Sequence, residues 1–523
     1  MKRLFCLILS IVFSTSLTAC SRSDNTSEPT SSIDSESAPQ AQDSSSYTDS
    51  DTHVSSDTLP TYEQVQAEYP DKTVLVWAAD SYFLDETIRV SEANKYLTEK
   101  GCDFVLCLKP VQTTISLSGN YPDLLASGIK AALDSGEQVD IATSRIYSEF
   151  VSADMFEPLD EYLNNTDKGR ELYSLMPEKY WEILRANGKI YGVCGSLNNV
   201  LSSDYGCFVN PELSEKYGFD VNKPILDQLD ILRKVKQEEK CPVFVSDMTY
   251  YPSDSVGLKM FGNGVYWDEE SHTARCILDC AEYVEKLRFL DTLNREGLLT
   301  SKFSGNELRT DFFINETSQQ GAALGYDKGQ TVEYNYYDQK VLGIPVFDGT
   351  STYRSTPYTV TGVLSASQNK DKAFRLLALT QTDPYLCDLL TFGIESEDYN
   401  LTDGKVDNVT SLFAPEIFGN KLISHSSEGV YSAGEMYYSA DKYREILENA
   451  QMPADSDFCF DYSEMIDEMN AVDKVFQSFR LPSGDVSLDD ALTELRGKLE
   501  SAGVQKIIDE VNRQYEVYLN EKE

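Results

Sequence analysis

From residue 73 to residue 142, short continuous apolar runs alternate with stretches of helical period, and this alternation is what most limits the fold. "TVLVWA" sets Val74 to Trp77 in an unbroken apolar run, the pattern of a strand covered on both faces. A helical stretch from Asp85 to a stop at Gly101 follows, and "DFVLCL" repeats the strand pattern. Leu125, Ile129, Ala132 and Leu133 then fall at helical spacing and end at Gly136, ahead of "VDIA" at Val139 to Ala142. Strand, helix, strand, helix, strand predicts parallel strands with right-handed crossovers in an open α/β sheet. Such sheets hold ligands beyond the carboxyl ends of their strands, so the loops at 78–83, 109–119 and 143–149 are the expected site. They carry Asp80, Tyr82, Thr113, Ser144, Arg145 and Tyr147. No Gly-x-Gly-x-x-Gly follows the first strand, which argues against a dinucleotide fold.

The start of the chain has a different character. Lys2 and Arg3 precede an apolar stretch from Leu4 to Leu17 that is too short and too polar to span a membrane, the pattern of a secretory signal over 1–19. It ends in Leu17-Thr18-Ala19-Cys20, which resembles the lipobox of bacterial lipoproteins and implies lipid on the Cys20 thiol. Of the 38 residues from Ser21 to Thr58, 18 are Ser or Thr and eight are acidic, so the segment 20–58 is expected to act as a polar tether with no core of its own.

The chain carries a formal charge of −41, with +2 on Lys2 and Arg3 and −7 on the tether, which leaves −36 for 59–523. A surface of that sign argues against nucleic acid as partner, because binding by counterion release needs a basic footprint. The 465 residues from Leu59 onward exceed one ordinary core and predict two or more lobes. Beyond Cys6 and Cys20, nine cysteines remain, at 102, 107, 194, 207, 241, 276, 280, 387 and 459. An odd number is not a disulfide framework, so buried apolar thiols are the expectation, with one or two disulfides or a metal site as alternatives. Three histidines, His53, His272 and His425, offer no zinc-like spacing, and no metal or cofactor is expected.

Catalytic motifs are missing from the sequence. It has no Gly-x-Ser-x-Gly elbow, His-Glu-x-x-His helix or Walker loop. "GIESEDYN" groups Glu395, Glu397 and Asp398 on one loop, where a glycosidase needs opposed carboxylates. "DYNLTDGK" hints at calcium through Asp398, Asn400 and Asp403 but misses the EF-hand spacing and its closing Glu. Aromatic content is more suggestive, with 32 Tyr against 3 Trp and many tyrosines in polar loops such as "YNYYD" and "EMYYSADKY". A tyrosine offers a flat apolar body and a hydroxyl, which suits stacking on sugar rings as well as packing. Near the end, Leu488, Leu492, Leu495 and Leu499 share a helix face between a Ser487 N-cap and a Gly503 stop. A second helix carries Val504, Ile507, Ile508, Val511 and Tyr515.

Several longer segments together resemble a family. "MPEKYWEILRANGKIYGV", "TGVLSASQNKDKAFRLL" and "DIATSRIYSEFVSADMFEPLDEYL" are similar to segments around the lobe crossings and ligand loops of bacterial extracellular solute-binding proteins, family 1. "LLTFGIESEDYNL", "IFGNKLIS" and "AGVQKIIDEVNRQYEVYL" resemble the large lipoprotein branch of that family. Ser396 stands where that branch has Gly, Cys194 where Pro is common, and Gly325-Tyr326-Asp327 where sugar-binding relatives bring Gly-Pro-Trp.

The resemblance implies an α/β, two-lobed periplasmic-binding-protein type II fold with hinge crossovers and C-terminal helices over 59–523. The first lobe would hold about 70–195 and 362–410, and the second about 205–355 and 411–523. Strands near 194–205 and 353–361 would form the hinge. It implies a monomeric receptor without enzymatic activity, lipid-anchored at the extracellular face of the cell membrane, that delivers a small solute to the permease subunits of an ABC importer. The solute expected first is an oligosaccharide, with a peptide or amino sugar second. Candidate ligand residues are Trp77, Asp80, Tyr82, Tyr147, Asn198, Tyr205, Trp267, Tyr326 and Tyr358. An extracellular glycan hydrolase and a surface adhesion or sensor module are the competing readings, the first needing two carboxylates facing each other across a cleft.

Overall fold

The computed structural model describes residues 59–522 apart from 82–83, 85–87, 112–123, 196–199, 204, 210, 221, 240–243, 246–257, 301–313, 317–332, 337–338, 346–350, 354–356, 358, 403–404, 408–414, 421 and 424–439. Cys20 and the tether lie outside the described residues, and no helix among those described is long and apolar enough to cross a membrane.

The alternating region forms the expected sheet. Its strand order is Phe104–Val111, Thr73–Asp80, Ile141–Ser144, Val360–Val363, Val193–Cys194. The first three strands are parallel, and Val360–Val363 runs antiparallel to both of its neighbours. Thr73–Asp80 is buried at every position from Val74, which explains its continuous apolar run. The edge strand Phe104–Val111 is covered by helix Val90–Glu99, whose buried Asn94 both donates to the carbonyl and accepts from the amide of Leu106. That helix begins at Val90, five residues later than its periodicity suggests, and the Arg89 guanidinium just before it grips both oxygens of Asp398.

At the amino ends of the strands, Asp140 serves as an internal staple. Its carboxylate is fully buried and accepts from Val76 N, Gln138 Nε2, Ser367 Oγ and Asn369 Nδ2.

A second sheet has the order Leu299–Thr300, Phe244–Val245, Ile314–Glu316, Tyr205–Val209, Gln339–Pro345, Glu333–Tyr336, with only backbone described for its strands. A separate apolar core stands on this side of the molecule, built from Tyr217 to Leu298 and Phe458 to Tyr518. The C-terminal helices close it as the sequence predicts. Ser487 Oγ accepts from Asp490 N at the start of Leu488–Ala502, and Gly503 stops that helix with φ of 97°. Val504–Lys522 then buries Val504, Ile507, Ile508, Val511, Tyr515 and Tyr518.

Between the sheets, Leu201–Ser203 and Ser351–Tyr353 form an antiparallel two-stranded ribbon where the hinge is expected. One boundary differs from the expectation. Ile417, Phe418, Leu422, Tyr443, Ile446, Leu447 and Ala450 pack into the first core, so the described parts of this region, 417–420, 422–423 and 440–450, side with the first lobe, and the chain crosses for the last time just after Ala450. Cys102, Cys107, Cys276, Cys280 and Cys387 are free, buried thiols and Cys459 a free, partly buried one, Cys194 is buried, and the side chains of Cys207 and Cys241 lie outside the described residues.

Candidate functional site

Four strands of the first sheet end together on one edge. Trp77 pairs with Ile141 and Ala78 with Ala142, so Asp80 and Ser144, two residues further on, close adjacent parallel strands at one level. Val360, the first residue of an antiparallel strand, stands opposite both Ser144 and Cys194. The loops after residues 80, 111 and 194 leave from this edge, and the segment before 360 arrives at it. Tyr82, Asn198 and Tyr358 belong to those connections and lie outside the described residues, as does Tyr326. Tyr205 begins a strand of the second sheet, and its side chain lies outside the description.

The edge itself is polar. The Asp80 side chain is 1% exposed and receives Arg145 Nη1 at 3.2 Å, while the guanidinium remains 37% exposed. The pair thus presents a braced, partly solvated cation above a buried carboxylate. Ser144 Oγ, at the same level, is buried and has no hydrogen-bond partner among the described residues. One layer below, Trp77 Nε1 donates to Thr143 Oγ1 at 2.9 Å, and Thr143 Oγ1 lies 2.9 Å from Thr361 Oγ1. This chain of polar groups crosses three strands and fixes the edge from beneath.

The segment arriving at Val360 is tightly constrained. Thr359 is buried with φ of 49°, a left-handed conformation that a β-branched residue adopts only against strain, and such strain gathers at functional positions. A Cβ at Gly362 would stand 2.6 Å from Tyr191 O and 2.7 Å from the Phe156 ring, so only glycine lets that strand approach. On the departing side, Tyr180 Oη accepts from Cys194 N and donates to Cys194 O, which pins the last residues before the chain leaves the first sheet.

Three candidates expected to touch ligand are core residues in this structure. Trp77 is fully buried, its indole N–H is committed to Thr143 and its ring meets Phe418 edge-on at 4.9 Å. Trp267 is buried in the second core among Phe261, Phe458 and Tyr515. Tyr147 is buried, donates to Leu184 O at 2.7 Å and accepts from Tyr191 N at 3.1 Å, and burial holds its hydroxyl well above the ordinary tyrosine range. Packing has taken all three because each stands on a regular element that must fill a core. Thr143, Thr361 and Thr359 were missed as candidates. The signal available for them was polar residues inside an otherwise apolar strand pattern, "ATS" and "TVTGV".

The acidic loop at 394–399 is structural where it is described. Asp398 accepts from the Arg89 guanidinium and from Ile394 N, and the hydrogen bond from Arg89 holds its carboxyl below the usual aspartate range. Ser396, standing where the resembled branch has Gly, takes φ of 71°, the backbone conformation that explains the glycine elsewhere. Among the described residues no group of three or more His, Cys, Asp and Glu could hold a metal ion.

Residues 456–520 match a family described as a domain of unknown function, DUF3502. The chain is 25% identical over 416 residues, 74% of its own length and 81% of the other's, to a carbohydrate ABC transporter substrate-binding protein of Streptococcus pneumoniae. Among solved structures it is similar to the N-glycan transport solute binding protein NgtS of S. pneumoniae, with a TM-score of 0.64 and 20% identity over 86% of this chain and all of that one. It is also similar to an HMO-binding, ABC-transporter-associated solute binding protein of Bifidobacterium longum infantis, with a TM-score of 0.54 and 16% identity over 86% of this chain and 99% of that one. The chain therefore has the two-lobed α/β fold of the bacterial extracellular solute-binding proteins, the family its own motifs resemble.

Proposed function

We propose that the protein is a receptor that captures an oligosaccharide between its lobes and delivers it to an ABC importer, held at the outer face of the membrane by lipid on Cys20. The observation that carries this reading is the polar edge at Asp80, Ser144 and Arg145, set at the strand ends beside the crossings, on the fold of proteins named for carbohydrate, N-glycan and HMO binding. A braced guanidinium and hydroxyl groups suit the many hydroxyls of a glycan. Arg145 would contact the first sugar directly with Asp80 bracing it from beneath, and Tyr82, Asn198, Tyr205, Tyr326 and Tyr358 would contribute from the connecting segments. Ligand held by both lobes would favour the closed state, and the permease subunits would recognise that closed surface. Binding without turnover separates this reading from a hydrolase.

The test is a thermal-shift screen of the full-length chain in detergent against mono- and oligosaccharides, peptides and amino acids, with product analysis of every hit. A ligand that binds only the folded state raises the melting temperature with dose. The expected result is such a rise with one class of oligosaccharide and no product. Turnover of that glycan, or a response confined to peptides or amino acids, overturns the proposal.

A further inference from the structure

The chain crosses between lobes for the last time after Ala450, and the two sides of this crossing are held very differently. Up to Gln451 it is bound to the first lobe. Lys179 Nζ donates to Ala450 O at 2.9 Å, Tyr353 N donates to Gln451 O at 2.8 Å, and Met452 packs on the first core. From Ala454 onward the partners come from the second lobe. Glu269 accepts from Ala454 N at 3.0 Å, and His272 Nδ1 lies 2.8 Å from Asp455 Oδ2. Asp457 receives Tyr518 Oη and, at 2.8 Å, Lys522 Nζ, while the Gln514 amide bonds both the N–H and the carbonyl of Asp461.

At the centre of these contacts is Lys259. Its side chain is 3% exposed, yet it forms no ion pair among the described residues. The ammonium instead donates to the carbonyls of Asp455 and Phe458 and lies 5.3 Å from the Phe458 ring centroid. Burying a lysine to hold two backbone carbonyls is costly, and a lysine so placed fixes the local chain path from inside. Toward the first lobe, among the described residues, segment 454–461 makes one backbone hydrogen bond, Asn187 N to Asp457 O at 2.9 Å, while Cys459 packs on the first core with its thiol hydrogen-bonded to the Ser152 side chain. Asn187 lies with Gly188 in the two-residue turn between Arg185–Ala186 and Lys189–Ile190, and it has φ of 50°.

We propose that residues 454–461 travel as part of the second lobe, with Lys259 as the positioning residue that holds them there. The lobes then turn at Met452-Pro453, pivoting where the Asn187-Gly188 turn touches Asp457. Contacts near a rotation axis survive rotation, so the Asn187 hydrogen bond and the buried Cys459 thiol with its Ser152 partner can persist while the lobes turn. The inference concerns the movement alone and does not depend on which solute is carried.

The test is electron-spin distance measurement on the solute-free full-length chain, with nitroxides on ketone-bearing amino acids so that the native thiols stay untouched. One pair joins Ser456 to Glu285 in the second lobe, the other Ser456 to Ser174 in the first. The expected result is a narrow distribution for Ser456–Glu285 and a clearly broader one for Ser456–Ser174. Lys259→Met should broaden Ser456–Glu285 alone, and Lys259→Arg should restore part of the narrowness. Equal widths for the two wild-type pairs, whether narrow or broad, or a broader Ser456–Glu285, overturn the proposal even if Lys259→Met fails to fold.

Discussion

Asp140 is shut off from bulk solvent, and its carboxylate is met instead by donors from four residues. Replacing it by alanine leaves the Val76 N–H buried without an acceptor and Ser367 Oγ and Asn369 Nδ2 without theirs, while Gln138 Nε2 keeps only Val74 O. An unpaired buried donor costs about 1–3 kcal/mol, so Asp140→Ala should lose roughly 3 kcal/mol in urea unfolding, and Asp140→Asn, which keeps one acceptor oxygen, clearly less. Equal losses in the two variants would mean that volume rather than hydrogen bonding sets the effect. Lys259 makes the complementary prediction for a buried base. Burial lowers its pKa from 10.5 to about 8, with Asp455, Cys459, Asp457 and Glu269 opposing that shift. The unfolded chain therefore binds the extra proton between pH 8 and 10.5, and by linkage the contribution of this lysine to stability rises with pH across that window. A shift of that size is on the order of 3 kcal/mol. Relative to Lys259→Met, the wild type should gain stability from pH 8 to 10, read as the difference between their melting temperatures. A difference that stays flat would show that Lys259 is not held in its buried, unpaired setting.

Elements differ in how openly the sequence declares them. The C-terminal helices are legible because both limits are local chemistry: Ser487 caps one end by accepting from Asp490 N, and Gly503 closes the other in a conformation that glycine takes without strain. Ser487→Ala should cost about 1 kcal/mol. Gly503→Ala should cost about 1–2 kcal/mol, because its Cβ would be forced into a left-handed residue and within 2.8 Å of Glu468 Cγ. Both losses are measurable in thermal melts, and Gly503→Ala at wild-type stability would refute the steric argument. The first sheet was equally legible, since "TVLVWA", "DFVLCL" and "VDIA" each became a strand near its expected place. The site within that sheet was legible only in part. A strand buried on both faces shows no alternation, so nothing local separates Trp77, one layer inside the core, from Asp80, three residues later at the open edge. Arg145 showed itself as a charge directly after a strand, whereas the Asp80 carboxylate that holds it lies 65 residues away in sequence.

At the scale of the whole molecule, the two lobes could be expected from length and from the family resemblance, but the side taken by Ile417, Phe418 and helix Ala440–Asn449 could not. Core membership there is decided by contacts between residues 94 or more apart in sequence, such as Tyr353 Oη against Leu447 O and, farther still, Phe418 against Trp77, and no local period records them. The acidic excess is by contrast wholly visible in the sequence and acts on the molecule as a whole. With 86 acidic against 45 basic residues, the folded chain holds like charges closer together than the unfolded one does. Exposed ion pairs such as Arg288 with Asp489 and Lys498 with Glu494 each contribute roughly 0–1 kcal/mol and weaken with salt. The self-repulsion is summed over the whole surface, and it is screened as the Debye length falls from about 30 Å at 0.01 M to about 8 Å at 0.15 M. The repulsive sum should dominate, so the melting temperature should rise when sodium chloride is raised from about 10 to about 150 mM, and most steeply over the first part of that range. A fall in melting temperature would mean that the paired charges outweigh the excess and are what the fold depends on.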